Sequence, residues 1–329
     1  MTQNLRRGGI ALLAFIAVAA TGELTAADST TRTFPFRPGE LMKIDTGLGH
    51  IEIRTARGTQ ATITVTSESG KLADLLELEF EDTAEGVTVT GRKPGGDGWG
   101  KGWLSGWTGK SDNVEFLVEV PDGADFDLKS SGGHIRFPDV TGDMRASTAG
   151  GHIKGGRLGR GGQLDTAGGH IEVVGSGGEL IAKTAGGHIT LSEIEGGVTA
   201  ETAGGHIEVN GCEGTAGLST SGGHITLRRM NGQVTANTAG GNIRAELDGR
   251  GEGADLTTSG GSIEVAVGPG AGYEVDAYAR GGSVESEIRG LEAPRSGDRQ
   301  RLRGTIGSGG GLLKLRTSHG RIRITESGV

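Results

Sequence analysis

The tetrapeptide Gly-Gly-His-Ile returns six times at a fixed spacing of 18 residues, with histidines at His134, His152, His170, His188, His206 and His224. A period this strict means that each unit adds one identical turn of backbone, which makes the chain a solenoid. The register continues in altered form as Gly-Gly-Asn-Ile at Asn242, Gly-Gly-Ser-Ile at Ser262 and Gly-Gly-Ser-Val at Ser283. Glycine supplies 66 of the 329 residues without a Gly-X-Y triplet, so the repeat is not collagenous. Apolar residues return in register between the glycines, unlike in a disordered linker.

Aligning the units on the isoleucine shows how one turn is built. Ile171, Ile189 and Ile207 are each followed two residues later by an apolar partner, Val173, Leu191 and Val209. Residues two apart share a face of a strand, so these positions face a core while His and the residue after Ile face out. A second strand lies seven to nine residues before each Ile, with candidate core pairs such as Leu180 with Ala182, Val198 with Ala200 and Ala216 with Leu218. One member of each pair is large and the other is Ala, the reciprocal volume that a thin core of fixed width requires. A threonine sits five residues before Ile in seven units, Thr148 to Thr258, and stacked rungs would align these hydroxyls. The Gly-Gly pair is expected to turn the chain through backbone angles that a Cβ forbids.

These features predict an all-β, single-stranded parallel β-helix, right-handed by strand twist, with 18 residues per rung and an N-terminal β cap. Nine rungs at roughly 4.8 Å would form a rod about 40 Å long. The division expected is a signal peptide over 1–26, a β-rich cap over 27–124, a solenoid of 18–21-residue repeats over 125–290 and a basic C-terminal β cap over 291–329. Arg6 and Arg7 before an apolar run at 10–20, followed by small residues, read as an export signal, too short for a comfortable membrane span. The expected location is therefore the periplasm or cell surface. The lone Cys212 excludes an intramolecular disulfide and shares its column with Ile194 and Met230, which marks it as a small buried hydrophobe.

Two stretches break the repeat and are the candidate binding regions. A Gly-rich loop at 95–110 carries Trp99, Trp103 and Trp107, suited either to stacking on sugars or a membrane interface, or to folding back on the cap. The basic end carries Arg299, Arg301 and Arg303, suited to an anionic envelope polymer or to a solvated cap that discourages end-to-end stacking. The histidine column is expected to stack outside the corner. Adjacent imidazoles (His134, His152, His170, His188, His206, His224) are also the one candidate for a transition-metal ion. Like charges in that row would repel once protonated, below roughly pH 6. The net charge of −8, of mixed sign along the repeats, argues against nucleic acid as a partner.

No paired carboxylates or Ser/His/Asp arrangement stands out in the outward rows, and no cofactor is indicated. The segment Val-Glu-Val-Pro-Asp-Gly-Ala at 118–124, running into Gly-Gly-His-Ile at 132–135, resembles the bacterial putative-adhesin family of β-strand-repeat domains. The Thr-Ala-Gly-Gly-His-Ile blocks and the closing Leu-Lys-Leu-Arg-Thr-Ser-His-Gly-Arg-Ile-Arg-Ile at 313–324 resemble it too, so the likeness spans 41–325. That resemblance implies a repetitive β fold and an adhesin-like role, and it brings no catalytic residues. The expected function is a non-catalytic binding or scaffold module of the bacterial envelope, with envelope polysaccharide or another envelope protein as partner. The alternatives are a polysaccharide-active β-helix enzyme and a metal- or pH-responsive protein working through the histidines.

Overall fold

Each unit holds two short runs in which every second side chain is apolar, and both form strands with one face buried. The computed structural model describes residues 28–68, 70–95, 114–248, 252–292 and 300–327. In one unit, Leu180–Thr184 buries Leu180, Ala182 and Thr184, and Ile189–Ile194 buries Ile189, Leu191 and Ile194. Strands of the first kind stack into a threonine sheet and strands of the second kind into an isoleucine sheet, each of 14 strands among the described residues. The pairing is parallel and in step with the repeat, Ile171 opposite Ile189 and Ile189 opposite Ile207.

The core is the narrow layer between the sheets. Leu164 lies beside Ala146 and Ala182 on the neighbouring rungs, so large and small residues alternate along the axis as well as within a rung. Ile153, Ile189 and Ile225 are fully buried, and each contributes about 1.5–3 kcal/mol of hydrophobic stabilisation. Cys212 is buried in its column as expected, and that burial raises its thiol pKa.

Twelve strands in each sheet run parallel and pair off as rungs, more than the nine anticipated, because both ends of the chain add turns that lie off the 18-residue register. Leu41–Thr46 lies between Gly86–Arg92 and Asp125–Ser130 in the threonine sheet, and His50–Ala56 lies between Val114–Pro121 and Ile135–Phe137 in the other. Much of the region assigned to an N-terminal cap is thus rung. The strands that cover this end are the antiparallel Asp28–Pro35, Gln60–Ser67 and Glu77–Thr83.

The other end mirrors this arrangement. Gly311–Thr317 and Ile322–Glu326 slide between the rung at 254–267 and the rung at 273–286, and Gln300–Ile306 closes the threonine sheet as an antiparallel strand. The first and the last rung in sequence are therefore each the second from the tip in space. The expected signal peptide, the three tryptophans and Arg299 lie outside the described residues.

Candidate functional site

One corner of the rung, Thr-x-Gly-Gly-His-Ile, is built almost identically along the stack. Thr184 Oγ1 donates to the Gly169 carbonyl of the rung before it at 2.9 Å and accepts the Gly187 N–H of its own rung at 3.1 Å. Thr166, Thr202, Thr220 and Thr238 repeat the first bond at 2.8–3.0 Å. The threonines thus staple rung to rung through the turn backbone. Each such bond contributes about 1 kcal/mol, and an unmade one would leave buried polar groups without partners.

The glycines serve a different purpose from the one expected. At Gly187 the backbone angle is not in the left-handed region, but a Cβ would stand 1.7 Å from the Gly169 carbonyl oxygen. The second glycine is needed because two rungs touch backbone to backbone. The first glycine of the pair, Gly186, has nothing nearer than 3.8 Å to such a Cβ, and Leu48 and His319 occupy the same column in other rungs.

The histidine rings stack with centroids 4.8–4.9 Å apart and planes within 8°. Each ring also does something spacing alone did not reveal. The Nδ1 of His170 accepts the backbone N–H of His188 on the next rung at 2.8 Å, and the same bond recurs from His134 through His224. An accepting Nδ1 fixes the neutral ring with its proton on Nε2. His50 joins as a seventh member, receiving the His134 N–H at 2.9 Å. The column then continues with other acceptors, Asn242 Oδ1 for Ser262 N–H and Ser262 Oγ for Arg321 N–H. What the position selects is a side-chain acceptor of the right length. Burial, followed by the charge of His152 and His188, lowers the His170 pKa, and burial with His188 and His224 does the same at His206.

Parallel rings aim their Nε2 atoms side by side and not at one point. Among the described residues, no three His, Cys, Asp or Glu side chains gather as a metal site.

Beside this corner a shallow trough of about 860 Å³ runs along the threonine sheet from Asp45 to Ser221. Its floor is the small residue after each threonine, Ala149, Ala167, Ala185, Ala203 and Ser221, and its wall carries Asp165, Lys183 and Glu201. The signal for it was present in the sequence as an unbroken column of Ala or Ser. Charges pair across rungs in this wall, Lys183–Glu201 at 3.1 Å, and on the isoleucine sheet, Lys154–Glu172 at 2.9 Å.

At the basic end the structure places Arg301 and Arg303 together on the outer face, both against Asp276, at 2.8 and 3.7 Å. Arg316 is the third guanidinium on that carboxylate, at 2.8 Å. Hydrogen bonds from Arg301 and then Arg316 hold the Asp276 carboxyl far below the usual carboxylate range.

Residues 40–325 match the family described as Toastrack DUF4097. Similar solved structures include a "putative adhesin" from Bacteroides fragilis NCTC 9343, 12% identical with a TM-score of 0.40, covering 91% of this chain and 98% of that one. A "putative adhesin" from Parabacteroides distasonis ATCC 8503 is 9% identical, with a TM-score of 0.33 and coverage of 91% and 97%. A "putative cell adhesion protein" from Clostridium sporogenes ATCC 15579 is 10% identical, with a TM-score of 0.19 and coverage of 91% and 100%. No curated protein matches.

Proposed function

The chain belongs to the Toastrack DUF4097 family, and from that premise we propose that it is a non-catalytic, adhesin-like binding or scaffold module of the bacterial envelope. Export by the leader that contains Arg6 and Arg7 is part of this reading. The observation that carries it is the trough on the threonine sheet. It is long, shallow and floored by small residues, and it presents hydroxyl, carboxylate and ammonium groups in rung-spaced rows. Such a surface suits an extended, hydroxyl-rich polymer, and envelope polysaccharide is the ligand class we assign to it. The cross-rung pairing of charges on the sheet faces also supports a binding surface, since acids held by bases are poor general acids or bases.

A glycan array probed with three forms of the protein tests this. The double substitution Ala185→Arg, Ala203→Arg fills the trough and is expected to weaken binding at least roughly tenfold, as loss of a shape-complementary contact does. Replacing 96–112 by a short Gly-Ser linker removes the three tryptophans and is expected to leave trough binding in place. Binding that follows the tryptophans instead would move the site to that loop. Cleavage of the bound glycan would favour the enzyme alternative.

A further inference from the structure

A rod made of stacked strands has two open ends, and like charges on both would keep copies apart. Here the ends differ in sign. In the threonine sheet the terminal strand at one end is Glu77–Thr83, with exposed Glu77, Glu79 and Glu81 alternating with half-buried Leu78 and Phe80. No cation pairs with those three carboxylates among the described residues. The terminal strand at the other end is Gln300–Ile306, with exposed Arg301 and Arg303 alternating with inward Leu302 and Ile306. Three guanidinium groups share the single Asp276 there, so the end keeps a positive surplus.

Direction and level agree as well as charge. Both terminal strands run antiparallel to the rung beside them, so in two rods stacked with the same polarity they would lie parallel to each other. With the columns of the sheet continued across the junction, Glu79 would then meet Arg301, Phe80 would meet Leu302, Glu81 would meet Arg303 and Asp82 would lie over Gly304. The ends are also stepped. Among the described residues, the isoleucine sheet gains two strands beyond the outermost rung at one end and none at the other, while the threonine sheet gains one at each. Both sheets therefore count 14 strands, and a shift of about 67 Å along the axis brings both edges into contact at once. The isoleucine-sheet edge at Asp28–Pro35 carries Arg32 and a proline, both of which weaken strand pairing, so the junction rests on the threonine sheet.

We propose that the chain associates head to tail with further copies of itself, the acidic 77–83 edge of one docking on the basic 300–306 edge of the next. The contact is heterologous and does not close on itself, so it extends into a filament. This inference is independent of the polysaccharide reading.

The test uses the purified full chain and two charge-reversed forms, Glu77→Arg/Glu79→Arg/Glu81→Arg and Arg301→Glu/Arg303→Glu, each checked for folding by its melting curve. In sedimentation velocity across a concentration and salt series, the natural chain is expected to form oligomers that dissociate as salt rises. Each reversed form alone carries the same sign at both ends and is expected to stay monomeric. An equimolar mixture of the two restores both junctions and is expected to regain the association. A natural chain that stays monomeric at low salt overturns the proposal, and so does association that neither reversal weakens. A mixture of folded variants that fails to reassemble overturns it too.

Discussion

The two corners of a rung solve the same turning problem by different means. At the Thr-x-Gly-Gly-His corner, the distance from the column residue to Ile is five residues in eleven of the twelve rungs, from Thr46–Ile51 through Thr258–Ile263 to Thr317–Ile322, and it departs at the outermost rung, where Gly91 and Phe116 hold those columns. Side chains from two columns, threonine and histidine, bond across to the neighbouring rung there. The far corner, after the isoleucine strand, is held mostly by backbone bonds such as Glu195 N–H to Ser176 O at 2.8 Å. It tolerates irregularity. Glu193 and Arg229 adopt left-handed backbone angles, φ 51° and 52°, and the register shifts between Leu227 and Met230. Where the pairing lengthens to 20 residues, Val234 to Ala254, the added length falls on this side. A solenoid needs one corner to fix its period and can leave the other free to vary.

The sharpest way to break that contrast is at the glycines. Gly187→Ala forces a Cβ onto the Gly169 carbonyl and is expected to cost more than about 4 kcal/mol or to prevent folding. Gly186→Ala, one residue away, is expected to change stability by less than about 1 kcal/mol. Urea unfolding of the two variants measures the difference. Equal effects would show that rung contact does not set the glycine requirement.

Thr184→Val keeps the shape but removes both staple bonds, leaving the Gly169 carbonyl and Gly187 N–H short of a partner. The expected loss is about 1–3 kcal/mol by the same measurement. The far-corner counterpart for comparison is Ser176→Ala, whose hydroxyl bonds only within its own turn to Gly178 O.

The histidine column adds a pH dependence to one corner only. His170 and His206 titrate lower in the folded chain than their ordinary 6.5. The unfolded chain therefore binds more protons as pH falls through 6.5, and stability present above that value is lost towards the lowered folded values. Melting temperature is expected to drop between pH 7.5 and 5.5. The pair His170→Asn, His206→Asn should flatten that drop, because an Asn already accepts the next backbone N–H at Asn242. A drop of unchanged size would place the effect outside the ladder.

The smallest effect is expected where the far corner is lengthened. Two residues inserted after Asn231 should cost less than about 1 kcal/mol. The same insertion between Ala185 and Gly186 should abolish cooperative unfolding.

The repeat was legible in the sequence because its physical causes act at fixed offsets. Ile189 with Leu191, and Leu180 with Ala182, announce two buried faces, and both are buried. The role of His170 was half legible: outward stacking follows from spacing, but the bond to His188 depends on ring orientation across a rung. The cause of Gly187 was hidden for the same reason, since close approach involves a residue 18 positions earlier. Least legible was the order of the end rungs. Thr317, Gly320 and Ile322 match the corner template, yet a template identifies a rung without saying which rungs lie on either side of it.

That order has a consequence for how the molecule is completed. Because residues 311–326 lie beneath 273–286, the earlier segment has no finished surface to settle on until the later one arrives. Residues 41–56 stand in the same relation to 86–121. A simple stack can grow or fray one layer at a time from its tips. Here the terminal stretches of the chain lead into a layer threaded under its neighbour, so unravelling that starts from a chain end must extract an interior piece.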